Sequence, residues 1–239
     1  MGADTDAIET ETFGEHHTTA KAMRVAYQLD VCKSDKDNIV LIMDYAQNLA
    51  ERKGGKRANE VTSMLHHTLD LCGVLSAATA DVVEKTESPG RVTVWADNCG
   101  GRNKNSQVVW YFMFLVEFGV LSEAHPKFFA KGHTKNACDR GFGIIKRHMR
   151  RKSCWTIPTL EEAVNRATES VSVVNLEEEK NPFWASKDFF ASRYRKLVGI
   201  QQYHIFRFTR ERPGYVGVQA DPYVIWRLDQ ATQRKKPGA

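Results

Sequence analysis

Two apolar runs that each end in an aspartate constrain the fold of this chain more than any other feature. The first run is NIVLIMD, residues 38–44, and the second is RVTVWAD, residues 91–97. A run that is apolar at nearly every position is typical of a strand covered on both faces, so we expect both strands to be central in a sheet. Ligands of open α/β sheets bind outside the carboxyl ends of the strands, which is where Asp44 and Asp97 lie.

Two carboxylates at one sheet edge repel each other unless a cation lies between them. Carboxylate oxygens are typical ligands of Mg2+ and Mn2+. The sequence therefore indicates a metal site that includes Asp44 and Asp97. The alternative is a structural role, because aspartate is also a preferred turn residue at strand ends.

The composition is that of an ordinary globular protein, with 239 residues and five widely spaced cysteines. The absence of any Cys-x-x-Cys pair indicates a reducing compartment. No apolar run follows Met1, so we expect no signal peptide. The longest apolar stretch, 108–121, is too short and is interrupted by Glu117 and Gly119, so we expect no membrane span. The expected location is intracellular, and nuclear if the source is a eukaryote. A zinc site from Cys99, Cys138, His125 and His133 is a weaker alternative, because the spacing fits no finger or ribbon.

The net charge of +5 favours polyanionic partners, and the basic residues are clustered. One cluster, KRHMRRK, covers residues 146–152. Its candidate nucleic-acid-binding residues are Lys146, Arg147, Arg150, Arg151 and Lys152. The alternative is a solvated helix end, since cations are favoured near helix C-termini.

Hydrophobic periodicity and turn residues predict the remaining elements. Helices are expected over 13–32, 59–69, 106–120, from 137 onward, 159–170 and 185–196, and strands over 126–130, 201–208, 215–219 and 223–228. Asn59, Asn105 or Ser106, and Thr159 are the expected helix caps. The predicted organisation is a disordered N-terminus over 1–12, an α/β core over 13–150, and a C-terminal extension of helices and a β-hairpin over 151–239.

Four motifs at the ends of these elements identify a resemblance to a known superfamily. They are DYAQN from Asp44, GKRANEV from Gly55, DNCGGRNKN from Asp97, and GHTKN from Gly132, which leads to Asp139. The chain resembles, over about 13–208, a transposon-derived domain family of undetermined function within the RNase H-like nucleases and DDE-type transposases.

The resemblance implies an RNase H-like core, a mostly parallel sheet flanked by helices, that cleaves phosphodiesters or transfers strands on DNA. In such sites two Mg2+ or Mn2+ ions, about 4 Å apart, activate the nucleophile and stabilise the leaving oxygen. Asp44, Asp97 and Asp139 would be the metal ligands, and His133 would assist proton transfer. Asn98, Asn103 and Lys104 would orient ligands or contact phosphate. The resemblance implies DNA as the partner and is compatible with a homo-oligomer. It implies neither membrane binding nor a small-molecule cofactor.

Two departures from the family pattern bear on catalysis. Lys146 stands where the similar family commonly has a glutamate, seven residues after Asp139 and on the same helix face. Its ammonium group would compete with metal ions for the carboxylates, so the sequence leaves open whether catalysis survives. Only about fourteen residues separate Asp44 from Asn59, too few for the two antiparallel strands expected there. A deletion, a faulty gene model or a substitute edge over 70–85 would each account for this gap.

Three functions follow. The first is a metal-dependent nuclease or strand-transfer domain. The second is a catalytically inactive transposon remnant that binds nucleic acid through residues 146–152. The third is a structural or interaction protein that uses its C-terminal β segment.

Overall fold

The computed structural model describes residues 3–44, 58–75, 90–100, 103–133, 135–150, 152–173, 184–223 and 226–229. Within these residues the chain is a mixed α/β protein with an open sheet and flanking helices. It divides into two compact units. The first comprises residues 1–41, 55–134 and 183–239, and the second comprises residues 42–54 and 135–182.

The described helices follow the predicted order with shifted ends. They are α1 (Ala3–Cys32), α2 (Ala58–Leu71), α3 (Ser106–Glu117), α4 (Ala137–Met149), α5 (Ile157–Asn165) and α6 (Ser186–Arg193), with a 3-10 turn at Ile200–Gln202. Helix α1 begins in the segment that was expected to be disordered, ten residues before Phe13.

Six strands form one sheet whose spatial order is the order along the chain. They are β1 (Asn38–Met43), β2 (Arg91–Ala96), β3 (Glu123–Phe128), β4 (Ile205–Thr209), β5 (Val216–Gln219) and β6 (Arg227–Asp229). Strands β2 and β3 are parallel, whereas β4, β5 and β6 each pair antiparallel with the strand before them. The C-terminal hairpin is thereby confirmed, and its strands extend the same sheet as β2 and β3.

Strand β1 lies next to β2 and runs in the same direction. The backbone N–H of Arg91, the first residue of β2, donates to the carbonyl of Asp37, the residue before β1, at 3.0 Å. Both strands therefore start at the same edge. All six residues of β1 are partly exposed, and β1 ends the described sheet. The prediction that β1 is central is wrong for this part of the sheet, because an apolar run indicates cover on both faces but not neighbours on both sides.

Strand β2 is the buried centre of the first unit, with five of its six residues buried. Its Trp95 packs with Met23 of α1, Phe129 and Ile205 in one apolar cluster. The Trp95 indole N–H donates to the carboxylate of Asp30 at 2.8 Å. This packing fixes α1 on the sheet and positions the residues that follow β2.

The caps show how side-chain hydrogen bonds set the helix starts. Asn105 caps α3, as expected, and its side-chain oxygen accepts from the N–H groups of Gln107 and Val108. The cap of α5 is Thr156, one turn before the predicted Thr159, and Thr159 completes the capping box from within the helix. Asn59 lies inside the first turn of α2 instead of capping it.

The second unit contains α4 and α5, which pack against each other. Ile145 on α4 and Ala163 and Val164 on α5 are its buried apolar residues. Positions 138, 142, 145 and 149 of α4 share the inward face, because spacings of three and four residues bring side chains to one side of a helix.

Some predictions fall outside the described residues. They include Arg151, the short segment 45–57 with most of the first two motifs, and most of the proposed substitute edge over 70–85. In the parts of the chain that are described, every helix is too short or too polar to cross a lipid bilayer.

Candidate functional site

The loop after β2 holds the first predicted carboxylate in the first unit. Asp97 follows the last residue of β2, and its Oδ1 atom accepts a hydrogen bond from the side-chain amide of Asn103. Asn103 is fully buried, and its Oδ1 atom has no hydrogen-bond partner among the described residues. The backbone N–H groups of Asn103 and Lys104 both donate to the carbonyl of Cys99, at 2.9 and 3.0 Å. Asn103 therefore orients the Asp97 carboxylate, and the role of this pair in metal or phosphate binding stays a prediction.

Lys104 is a buried cation in the same loop, with a side chain that is 0 % exposed. Its Nζ atom donates to the backbone carbonyl of Gln201 at 2.9 Å. Burial lowers the pKa of Lys104 to about 8, since the charged form loses hydration there. Asn98, by contrast, is partly exposed and makes no side-chain hydrogen bond to another described residue. Phosphate contact by either residue stays a prediction.

In the second unit, Asn136 contacts both of the other predicted carboxylates. Its N–H donates to Oδ2 of Asp139 at 2.9 Å, and its side-chain oxygen accepts from the N–H of Cys138 at 2.7 Å, which is the capping box of α4. Its side-chain amide donates to Oδ2 of Asp44 at 3.3 Å. Burial first, and then the charges of Asp44 and Asp139, raise the pKa of the Cys138 thiol. Asp139 thus has a structural task at the helix start.

The described residues contain no group of three or more His, Cys, Asp or Glu side chains that could hold a metal ion. Neither the predicted two-metal centre nor the zinc alternative is assembled among the described residues alone, and each stays a prediction. Of the proposed zinc ligands, His125 instead donates from Nε2 to the carboxylate of Glu123 at 3.0 Å, and burial lowers its pKa.

His133 lies among other histidines of the first unit. Its ring centroid is 5.4 Å from that of His16 and 6.1 Å from that of His17. All three side chains are exposed. The predicted role of His133 in proton transfer is not tested by this arrangement.

The outward face of α4 carries most of the predicted nucleic-acid-binding residues. Arg140, Lys146, Arg147 and Arg150 are all exposed, and none forms an ion pair with a described carboxylate. Lys152 is also exposed, two residues after α4 ends at its cap, Arg150. The side chains of these cations point away from the apolar inward face, so α4 presents a positively charged surface.

The sequence did not predict Trp155 or Arg140 as nucleic-acid-binding residues. Trp155 is 91 % exposed and lies five residues after Arg150. An indole that is almost fully solvated is unusual, because large aromatic side chains are mostly buried. The spacing of seven residues between Arg140 and Arg147 places both on one helix face and could have identified Arg140. Nothing in the sequence distinguishes an exposed Trp155 from a buried one.

One protein family matches residues 50–223 of the chain, and it is described as a domain of unknown function (DUF7869). The match covers most of the chain, including the loop after β2 and helix α4. No curated protein and no solved structure matches the chain significantly.

Proposed function

We propose that this chain, which belongs to the DUF7869 family of domains of unknown function, binds DNA through the outward face of α4 and descends from RNase H-like transposases. The observation that carries the proposal is the set of four exposed cations on that helix, none paired with a described carboxylate. We call this set, Arg140, Lys146, Arg147 and Arg150, the α4 cations.

Phosphate binding is the interaction that such a surface favours. Each lysine or arginine that neutralises a phosphate releases condensed counterions, which contributes an affinity that falls as salt rises. Guanidinium groups also donate two parallel hydrogen bonds to phosphate oxygens, and three of the four α4 cations are arginines. The single acid on this side, Asp139, is engaged in the capping box, where its carboxylate accepts the N–H of Asn136.

Trp155 adds a means of contacting bases. Stacking on an exposed aromatic ring contributes about 1–3 kcal/mol per base and does not depend on which base is stacked. Phosphate contacts alone involve no base. Trp155 has the exposure that stacking requires, and Lys152 and Arg150 precede it in the chain. We therefore expect single-stranded or distorted DNA to bind more tightly than intact duplex.

The ancestry part of the proposal is supported by the order of the strands. The three strands β1, β2 and β3 run in one direction, Asp44 follows the first and Asp97 follows the second. Parallel strands that are each followed by an aspartate in the sequence support this ancestry.

Binding can be tested by fluorescence anisotropy with labelled single-stranded and duplex DNA over a range of salt concentrations. The triple variant Arg140→Gln, Arg147→Gln, Arg150→Gln should bind more weakly. The slope of log K against log salt should fall in magnitude by about 0.9 per lost duplex contact. Equal slopes for the triple variant and the wild type would reject the proposal.

The control is a second triple variant with the same change in net charge, Lys33→Gln, Lys36→Gln, Arg212→Gln. It replaces three exposed cations of the first unit. It should bind with nearly wild-type affinity at physiological salt. If the control loses as much affinity as the α4 variant, the binding depends on net charge alone and the α4 surface is not the site. Trp155→Ala should weaken single-stranded binding by about tenfold while changing the salt slope little.

Metal-dependent phosphodiester cleavage is the second candidate function. The observation that favours it is the position of Asp97 directly after β2 with its carboxylate oriented by the buried Asn103. Asp97 would be one ligand of the metal, and the described residues contain no group of three His, Cys, Asp or Glu side chains that would complete the site. Cleavage of plasmid DNA in Mg2+ or Mn2+ that is lost in Asp97→Asn would support it. No cleavage by the wild type, or equal cleavage by Asp97→Asn, would reject it.

A further inference from the structure

A cavity of about 660 Å³ in the first unit has an unusual lining. It lies among the first turn of α2, the loop after β2, the start of α3, helix α6 and the 3-10 turn. Three lysines line it, together with Asn59, Ser106 and Trp110, and the part of its lining that the structure describes includes no aspartate or glutamate. A cavity with three cations and no anion favours an anionic ligand.

The three lysines reach this cavity from different parts of the chain. Lys187 and Lys196 are exposed, and Lys104 is buried. None of the three forms an ion pair with a described carboxylate. The Lys104 ammonium group is held by the neutral carbonyl of Gln201 and lies 5.8 Å from the centroid of the Phe128 ring, so its charge is not compensated by a described carboxylate.

Asn59 contributes hydrogen-bond donors to the cavity. Its Oδ1 atom already accepts from Nε2 of Gln107 at 2.5 Å, from the N–H of Lys187 at 3.2 Å and from Oγ of Ser186 at 3.5 Å. Its side-chain nitrogen donates to no described residue, and neither does the hydroxyl of Ser106. The polar groups of Asn59 and Ser106 that remain for a ligand therefore include N–H and O–H donors.

The start of α3 does not supply these donors. Oδ1 of Asn105 already accepts from the N–H groups of Gln107 and Val108, and the carbonyl of Asn105 accepts from Val109. Side chains, not the helix end, make this cavity donor-rich.

We propose that this cavity, which we call the lysine cavity, binds a phosphate-bearing ligand. Phosphate oxygens accept several hydrogen bonds at once and carry the negative charge that three ammonium groups favour. The volume lies within the range of about 300–1,000 Å³ typical of small-molecule sites. The ligand is a free nucleotide or pyrophosphate, or the phosphate of a nucleic-acid strand. The lysine cavity belongs to the first unit, whereas the α4 cations belong to the second.

The test uses the full chain and isothermal titration calorimetry with pyrophosphate, adenosine triphosphate and a short single-stranded DNA. The double variant Lys187→Gln, Lys196→Gln should weaken binding by about tenfold for each charge-assisted contact that is lost. The control variant Lys33→Gln, Lys36→Gln removes two exposed lysines elsewhere and should bind as the wild type does.

Asn59→Asp is a sharper variant, because it retains the oxygen that accepts from Gln107 and Lys187 and replaces only the donor amide with a carboxylate oxygen. An acid in the first turn of a helix is also favourable, so the fold should persist. Phosphate binding should be abolished, and circular dichroism should match that of the wild type.

The outcomes separate the two sources of phosphate and separate this proposal from DNA binding by α4. Loss of pyrophosphate and nucleotide binding in Asn59→Asp supports a free ligand, and loss of single-stranded DNA binding alone supports a strand phosphate. In the first case the α4 triple variant should retain pyrophosphate binding. Absence of binding of any of the three probes to the wild type, or unchanged binding in both lysine-cavity variants, overturns the proposal.

Discussion

Lys104 and Gln201, 97 residues apart in sequence, hold each other through two reciprocal hydrogen bonds. Nζ of Lys104 donates to the carbonyl of Gln201 at 2.9 Å, and Nε2 of Gln201 donates to the carbonyl of Lys104 at 3.0 Å. This pair fixes the loop after β2 against the 3-10 turn. The same loop carries Asp97 and lines the lysine cavity, so the pair controls the geometry of both.

Gly100→Ala should disrupt this pair. A Cβ atom at Gly100 would lie 2.8 Å from Nε2 of Gln201, which is held in place by the carbonyl of Lys104. Relief of the clash requires the Gln201 side chain to move, and the lost hydrogen bond should lower the free energy of unfolding by about 1 kcal/mol. Urea unfolding measures this change.

Gly143→Ala is the control for a glycine that is replaced without a clash. Gly143 lies inside α4, and apart from its chain neighbours and the backbone of the helix itself no described atom lies within 4 Å of a Cβ built there. Alanine favours a helix over glycine by about 1 kcal/mol, so the free energy of unfolding should rise. A loss of stability in Gly143→Ala, or none in Gly100→Ala, would contradict these assignments.

Stability should rise with pH on account of Lys104. Burial lowers its pKa from the ordinary value of 10.5 to about 8 in the folded chain, so the unfolded chain binds more protons between these two values. The free energy of unfolding of the wild type should therefore increase through this window relative to Lys104→Met, which has no such titration. Urea unfolding of both proteins at several pH values measures the difference, and a difference that stays constant would contradict the assignment.

The free energy of unfolding should also rise with pH on account of Glu123, but in the acid range. Its carboxylate accepts from His125 and Arg207 and lies beside Arg91, and these contacts lower its pKa from 4.5 to about 2. The resulting stability is present above the unfolded pKa and is lost as pH falls toward the folded value. Glu123→Gln should cost about 2 kcal/mol at neutral pH, with the gap to wild type narrowing below pH 4.5. The exposed Glu211→Gln is the control and should change little.

The local patterns predicted much of this fold. The run of apolar residues located β2, and the asparagine before Ser106 located the start of α3, because both depend on neighbours in the sequence. The hairpin of β4 and β5 followed from Pro213 and Gly214, and Gly214 has a φ of 78°, which glycine adopts without strain.

The features that the sequence did not predict depend on distant contacts. Asn59 reads as a helix cap, yet its oxygen accepts from Gln107, which lies 48 residues away. The burial of Lys104 was not predicted either, and it depends on the carbonyl of Gln201, 97 residues away, and on the Phe128 ring. Burial of a polar residue depends on partners that only the tertiary fold brings near, so no periodicity in the sequence reports it.

The side-chain amide of Asn136 makes two different hydrogen bonds, one to the backbone at the start of α4 and one to Asp44. Its oxygen caps α4 and its nitrogen donates to Asp44, so Asn136→Asp retains the cap and replaces the donor with a second carboxylate. Repulsion should lower the free energy of unfolding by about 1–2 kcal/mol at neutral pH, and this loss should shrink as acid protonates one carboxylate of the pair. Asn136→Ala removes the cap and the donor together, so it should cost about 1–2 kcal/mol with much weaker dependence on pH. Urea unfolding of both variants between neutral and acid pH distinguishes the two cases, and parallel profiles would show that Asn136 and Asp44 do not interact.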